Sequence, residues 1–94
     1  MPESTSPSLP EQIRVCLQDL QPIEMEIEDQ SAAHAGHAGA RAGAHFRLHL
    51  VSAAFSGQSK LQRHRMVYGR LASLLQGRIH ALTMTLLAPG EHLY

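Results

Sequence analysis

Residues 59–75 read SKLQRHRMVYGRLASLL, and this stretch decides the fold because it is the only long helical pattern in the chain. Apolar side chains recur in it at steps of three and four residues, which is the period of one buried helix face. Ser59 and Gln62 have the spacing of a capping box at its start, and Gly77 marks its end. The pattern therefore predicts one helix, open to a break near Gly69, that buries one face. The residues assigned to that face are Leu61, His64, Val67, Tyr68, Leu71, Leu74 and Leu75.

Strand-like and helical segments surround this helix. Ser8 and Glu11 form a second capping box, which opens a short amphipathic helix that ends at Pro22. Strict alternation at residues 23–28 predicts a strand with its isoleucines and methionine inward and its glutamates in water. Two further runs alternate in the same way and predict a second and a third strand. Their alternating side chains are Phe46, Leu48 and Leu50 in the second strand, and His80, Leu82, Met84 and Leu86 in the third.

The order of these elements predicts the fold class. The order is α-β-β-α-(α)-β, which indicates an α/β (α+β) domain with a three-stranded mixed sheet and helices on one face. The first two strands are most simply antiparallel, and the crossover through the long helix makes the second and third strands parallel. Arg47 is then placed to pair with the glutamates of the first strand. We expect a domain at residues 8–89, between a mobile tail at residues 1–7 and a C-terminal tail at residues 90–94.

Composition narrows the class of protein, because 94 residues are enough only for one small domain. No apolar run reaches membrane-spanning length and no signal-peptide pattern opens the chain, so we expect no membrane partner. The single cysteine, Cys16, cannot form an internal disulfide, which favours a reducing compartment and hence the cytoplasm. The sequence has no nucleophile motif and no phosphate-binding glycine loop before a helix. A binding protein is therefore favoured over an enzyme.

Charge is unevenly distributed, although the formal net charge is zero. Seven of the eight acidic residues precede residue 30, and seven of the eight basic residues follow it. The basic residues of the long helix fall largely off the predicted apolar stripe, so they indicate a basic outer surface. Such a surface fits a DNA-binding regulator, and a simply solvated charged face is the alternative. The residues assigned to this surface are Lys60, Arg63, Arg65, Arg70 and Arg78.

Seven histidines are the other unusual feature of so short a chain. The long connection at residues 30–44 consists mainly of glycine, alanine and histidine. In the predicted topology its two ends and the start of the third strand lie at the same end of the sheet. Four histidines can converge there, namely His34, His37, His45 and His80.

Imidazole is a good ligand for iron and also binds zinc. Two histidines can replace two cysteines on one iron of a 2Fe-2S cluster. This chain lacks the thiolates to complete a cluster alone, so the sulfur would come from a partner. Zinc is a less favoured ligand, because no compact histidine spacing of the finger or helix type is present.

Three short motifs carry a resemblance to a known family. His45-Phe46, the run RHRMVY at residues 63–68 and the run IHAL at residues 79–82 occur in this order and spacing. Together they resemble the BolA family over roughly residues 10–89. The resemblance implies a KH-like domain of the second class. It also implies partnership with a monothiol glutaredoxin and its glutathione, and in bacteria a DNA-binding regulatory role.

The resemblance also implies the ligands of a 2Fe-2S cluster that the two proteins share. In that family the histidine that opens the last strand is the usual ligand, which points to His80. A second ligand generally comes from the long loop, and His34 and His37 both remain open. We expect an adaptor for iron-sulfur trafficking or iron sensing that binds no cluster in isolation and is a monomer or a weak homodimer.

Overall fold

The computed structural model describes residues 7–30 and 44–91. Short 3₁₀ turns follow the first helix and the second strand. The tail predicted for residues 1–7 lies almost wholly outside the described residues. In chain order the elements are α1 (Leu9–Leu17), β1 (Glu24–Asp29), β2 (Ala44–Val51), α2 (Lys60–Arg70), α3 (Ala72–Leu75) and β3 (Ile79–Leu87).

The sheet has the predicted topology. Its strand order is β1-β2-β3, with β1 antiparallel and β3 parallel to the central β2. This arrangement confirms a mixed α+β fold with a three-stranded mixed sheet. Arg47 lies opposite Glu28 in register, and its Nη1 is 3.8 Å from a carboxylate oxygen, so the predicted cross-strand pair is also confirmed.

Both predicted capping boxes are present. At the start of α1, the Glu11 N–H donates to Ser8 Oγ at 3.3 Å and the Ser8 N–H donates to Glu11 Oε1 at 3.2 Å. At the start of α2, Ser59 and Gln62 exchange the same two bonds at 2.9 and 3.1 Å. Each box satisfies two N–H groups that the first turn of a helix leaves free, which fixes where the helix begins.

The long helical pattern forms two helices that meet at Leu71, two residues after Gly69, so the predicted break near Gly69 is confirmed. The Leu71 backbone has φ −101° and ψ 8°, outside the helical range. Its N–H nevertheless donates both to the Val67 carbonyl at 3.0 Å and to the Tyr68 carbonyl at 3.2 Å. Such a shared bond is common where a helix tightens at its end. The Leu71 N–H therefore keeps hydrogen-bond partners at the break.

The buried face of α2 is rotated relative to the predicted one. Val67 and Leu71 are buried as predicted, whereas Leu61 and Tyr68 are 59% and 44% exposed. Arg63 is buried instead, and it lies on the same stripe because residues four apart are neighbours on a helix surface. Hydropathy alone misplaced the face, because it assigns a guanidinium to water even where carbonyl and carboxylate oxygens receive it.

The core lies between the helices and one face of the sheet. Phe46, Leu48 and Leu50 of β2 are buried, while Arg47 between them is exposed. Buried residues of all three helices belong to the same cluster. Ile23, predicted to face inward, is 61% exposed because β1 begins only at the following residue. Among the described helices, none is long and apolar enough to cross a membrane.

Candidate functional site

One end of the sheet gathers the features that the histidine hypothesis needs. β1 ends at Asp29, and the backbone N–H of Gln30 donates to the His45 carbonyl at 2.8 Å. Residues 31–43 therefore leave β1 and rejoin β2 at this end, where β3 also begins. His34 and His37 belong to that connection and lie outside the described residues, so their part in a site stays a prediction.

A β-bulge at the start of β3 sets the position of His80. Ala44 lies opposite Ile79, but the next residue, His45, lies opposite Ala81. His80 is therefore an extra residue without a partner on β2. Bulges of this kind interrupt the alternation of a strand and redirect a side chain.

The bulge turns His80 away from the core. The sequence pattern grouped His80 with Leu82 on the same side of the strand, and this grouping is wrong. Ile79 is 3% exposed and packs in the core, whereas His80 is exposed. His80 consequently meets His45, which projects from the face of β2 opposite to Phe46, and their ring centroids are 5.1 Å apart at 36°.

This pair offers imidazole nitrogens on the surface and no complete metal site. Across residues 7–30 and 44–91, no three histidine, cysteine or acidic side chains are close enough to hold a metal ion together. Cys16 is partly buried in α1 and packs against the core, as predicted. The donor set fits an iron that takes one or two imidazoles here and completes its shell with sulfur from elsewhere.

The predicted basic surface loses Arg63. The prediction that Arg63 lies on the outer face of α2 is wrong, because its side chain is only 10% exposed. Its two terminal nitrogens donate to the Glu91 carboxylate at 2.6 and 2.9 Å, and it also donates to the carbonyls of Gln58 and Leu86. The guanidinium, with help from the Ala88 N–H, lowers the pKa of Glu91 to about 2. A guanidinium held in this way cannot reach a phosphate.

The remaining basic residues differ in how free they are. Arg70 forms a salt bridge with Asp19 at 2.8 Å, and its hydrogen bond lowers the pKa of that carboxyl. Arg78 donates to the Gln12 amide oxygen at 3.3 Å. Lys60 and Arg65 are exposed and form no salt bridge within the described parts of the chain. These two residues are the freest cations of the predicted surface.

Comparison with known families assigns this fold. Residues 17–91, from the end of α1 to the Arg63 partner Glu91, match the family described as BolA-like protein. The chain belongs to the BolA family. The match includes the strand that carries His80 and the whole of α2.

Individual BolA relatives have different names and lengths. The chain is 43% identical over 79 residues to SufE-like protein 1, chloroplastic/mitochondrial, of Arabidopsis thaliana, covering 78% of this chain and 21% of that protein. It is 42% identical over 64 residues to the DNA-binding transcriptional regulator BolA of Escherichia coli, covering 68% and 59% respectively. The chain thus spans between a fifth and three fifths of these two relatives.

A solved BolA domain confirms the fold. The BolA domain of SufE1 from Arabidopsis thaliana superimposes with a TM-score of 0.79 at 39% identity, covering 94% of this chain and all of that domain. The sequence had placed His45 at the right end of the sheet without assigning it to a site. Its pairing with His80 depends on the bulge, which no periodicity in the sequence announces.

Proposed function

We propose that this chain is a BolA-type adaptor that binds a monothiol glutaredoxin and co-ligates a 2Fe-2S cluster through His80. The second ligand in this proposal is His34 or His37. The observation that carries it is the bulge, which presents the His80 imidazole to solvent beside the ends of the 31–43 connection. The cluster, when bound, supplies the transferable iron and sulfide, and the partner and its glutathione supply the thiolates.

The residues of this chain contribute position more than chemistry. The residues on either side of His80 pair with β2 and Ile79 is buried, so the backbone is anchored on both sides of the bulge. The His45 ring lies against the His80 ring and restricts its rotation. A ligand held in this way loses little conformational freedom when it binds iron. His45 is therefore a positioning residue in this proposal.

The test uses the full chain with a cluster-loaded monothiol glutaredoxin. Visible absorption and circular dichroism record the spectrum of the mixed complex. His80→Ala should abolish that spectrum, because iron loses the imidazole that the bulge presents. His49→Ala is the matched control. His49 lies on the same face of β2 as His45, but it contacts Glu24 at 3.5 Å and not His80. An unchanged spectrum in His80→Ala, or equal losses in both variants, would remove His80 from the proposal.

The loop ligand is tested in the same mixture. His34→Ala and His37→Ala should differ, with one nearly silent, if one histidine is the dedicated ligand. Two silent single variants and a double variant without the cluster spectrum would mean that the connection uses either histidine. Retention of the spectrum in the double variant would exclude both.

A second candidate function is DNA binding. It rests on the exposed Lys60 and Arg65 and on the similarity to the DNA-binding transcriptional regulator BolA of Escherichia coli. Phosphate contacts release counterions, so affinity should fall with salt, and Lys60→Ala with Arg65→Ala should reduce the slope by about two. Salt-titrated binding of a DNA duplex measures this slope. Equal slopes for the wild type and the double variant would remove this surface from DNA binding.

A further inference from the structure

The two edges of the sheet are protected to very different degrees. β1, at one edge, has four acidic residues among six. β3, at the other edge, has nine residues and no lysine, arginine, aspartate or glutamate. Native proteins place charges on edge strands because unpaired backbone groups otherwise recruit another strand. The β3 edge lacks this protection, which suggests that it is meant to be paired.

The backbone groups that β3 turns outward can be identified. The Leu87 carbonyl accepts from the Ser52 N–H of the β2 side at 3.0 Å, so Leu87 bonds toward β2. In a parallel pair, alternate residues bond to the neighbour and the others point away. The backbone N–H and carbonyl groups of Leu82, Met84 and Leu86 therefore point away from β2, toward the open edge. Arg63 confirms this assignment, because its Nη1 donates to the Leu86 carbonyl at 3.0 Å from the open side.

Arg63 covers only one end of this edge. Met84, whose N–H and carbonyl point away from β2, lines a groove of about 270 Å³ between α2 and β3. Lys60, Arg63 and His64 line the α2 wall of this groove, and residues 84–87 line the β3 wall. The Tyr68 ring lies edge-on to the His64 ring, with the ring centroids 6.2 Å apart. A strand added at this edge would thus have side-chain space beside it.

The charge around the groove determines whether an acidic or a basic segment is attracted to it. Arg63 lines the groove, and its charge is already balanced by Glu91. Lys60 also lines the groove, is exposed and has no salt bridge to any described residue. A second copy of the chain paired through β3 would bring two such cationic helices together, whereas an acidic segment would be attracted.

We infer that the β3 edge binds an extended segment of a partner protein that carries apolar residues and an acidic residue. The segment pairs with the Met84 backbone as an added strand, places an apolar side chain in the groove, and sets its carboxylate near Lys60. The groove lies toward the carboxyl end of β3. His80 lies six residues before Leu86, about 20 Å away along the strand, so this site is separate from the proposed cluster site.

The probe is a synthetic nine-residue peptide of alternating valine and threonine with one glutamate at each end, capped and fluorescently labelled. Fluorescence anisotropy with the full chain should show saturable binding. Replacing both glutamates by lysine should weaken peptide binding about two- to fivefold, because an attractive surface contact becomes repulsive. Equal affinity of the acidic and basic peptides would overturn the proposed charge selection.

Backbone methylation of the peptide tests strand addition without changing the protein. An added strand bonds to the edge through every second N–H. Methylation of one alternate set of peptide nitrogens should abolish binding, and methylation of the other set should leave it nearly unchanged. Equal effects of the two methylated peptides would overturn pairing at the edge.

Met84→Pro tests the same pairing from the protein side. Among backbone donors, proline removes only the Met84 N–H, which points away from β2, so edge strands tolerate it at such positions. It also removes the Met84 side chain, a loss that Met84→Ala shares. Binding should weaken about five- to tenfold relative to Met84→Ala, which loses the side chain but keeps the donor. If Met84→Pro does not fold by circular dichroism, the methylated peptides decide. Equal binding by the two folded variants would overturn the inference.

Two other occupants give different results. A 12-nucleotide single-stranded DNA that binds and displaces the peptide would assign the groove to nucleic acid and overturn the inference. Sedimentation that shows a dimer lost in Met84→Pro, together with no peptide binding, would assign the edge to a second copy and overturn it equally. The cluster experiment on His80 reads out independently of all these measurements.

Discussion

The two outer strands of the sheet, β1 and β3, each have an edge of unpaired backbone groups. They limit pairing of this edge with other strands by different means. β1 carries acidic side chains, and two of them contact the outer face of β2 through Arg47 at 3.8 Å and His49 at 3.5 Å. β3 carries no lysine, arginine, aspartate or glutamate, and a single guanidinium from α2 reaches over its end. The first edge repels other strands along its whole length. The second is closed at one end and open at the other.

The comparison shows that exposure of a sheet edge is a local property. The charges of β1 lie in water, where each contributes little to the free energy of unfolding. Arg63 lies in a mostly buried position, where its hydrogen bonds hold α2, β3 and the turn at Glu91 together. The charges that protect the β1 edge thus contribute little to stability. Arg63, which covers part of the β3 edge, connects that edge to α2 and to the turn at Glu91.

The largest expected effect comes from removing that tie. Arg63→Ala removes the donor to the Gln58 and Leu86 carbonyls and leaves the Glu91 carboxylate with the Ala88 N–H alone, so it should lower the free energy of unfolding by about 2–3 kcal/mol. Urea unfolding followed by circular dichroism measures the change. Arg65→Ala, on the exposed side of the same helix, should change it by less than about 0.5 kcal/mol. Similar losses in the two variants would contradict the structural role of Arg63.

Glu91→Gln should have a smaller effect that depends on pH. The Arg63 hydrogen bonds hold the pKa of Glu91 at about 2, below its ordinary value of 4.5. A lowered folded-state pKa gives stabilisation that is complete above the ordinary pKa and lost as pH falls through the lowered one. The variant should therefore be less stable than the wild type at neutral pH, and the difference should shrink between about pH 4.5 and pH 2.

Urea unfolding of both proteins across this pH range tests the prediction. Asp19, whose pKa Arg70 also lowers, titrates in both proteins and cancels in the difference. Glu28→Gln serves as the control, since its carboxylate is 61% exposed and lies 3.8 Å from its partner. A difference for Glu91→Gln that does not change with pH would rule out the charge as its cause.

Removing a charge from β1 should make the two edges more alike. Glu26→Thr takes one acid from the centre of β1 and should raise self-association modestly, because the edge becomes a better template for another strand. Light scattering at increasing protein concentration measures the apparent mass. Glu11→Gln is the matched control, because it removes one charge from α1 while glutamine still fits its capping box. Equal association in both variants would assign the effect to net charge.

The smallest effect should come from the cross-strand pair on the outer face. Arg47→Ala should change the free energy of unfolding by less than about 0.5 kcal/mol, because both side chains are more than half exposed and 3.8 Å apart. Urea unfolding of this variant beside Arg63→Ala separates the two kinds of ion pair. A loss comparable to that of Arg63→Ala would mean that the outer face contributes to stability.

Most of the fold could be predicted from the sequence because its signals are local. Alternation located the three strands, and the spacing of Ser59 and Gln62 located the start of α2. The simplest pairing of the first two strands and the crossover through the long helix then predicted the strand directions. The BolA resemblance was found from motifs on these same elements, and the family match confirms it.

The features that sequence analysis missed depend on distant partners. Arg63 is buried because it bonds to atoms 23 and 28 residues away in the chain, which helical periodicity cannot detect. The bulge at His80 arises where β3 joins β2, so counting residues along β3 alone gives the wrong side. The ligand roles of His80, His34 and His37 stay predictions, as do the glutaredoxin partner and the cytoplasmic location.

The bulge makes the histidine end of the sheet modular. In a regular strand, side chains alternate strictly between the two faces. The position of a residue on one face is therefore set by how its neighbours pack on the other face. Here the unpaired His80 shifts the alternation of β3 by one residue, so Ile79 fills the core while His80 faces solvent. The side chain at this position can therefore be exchanged while the core keeps its volume. The same backbone can present cysteine or aspartate as readily as histidine, so a change of ligand needs no change of fold.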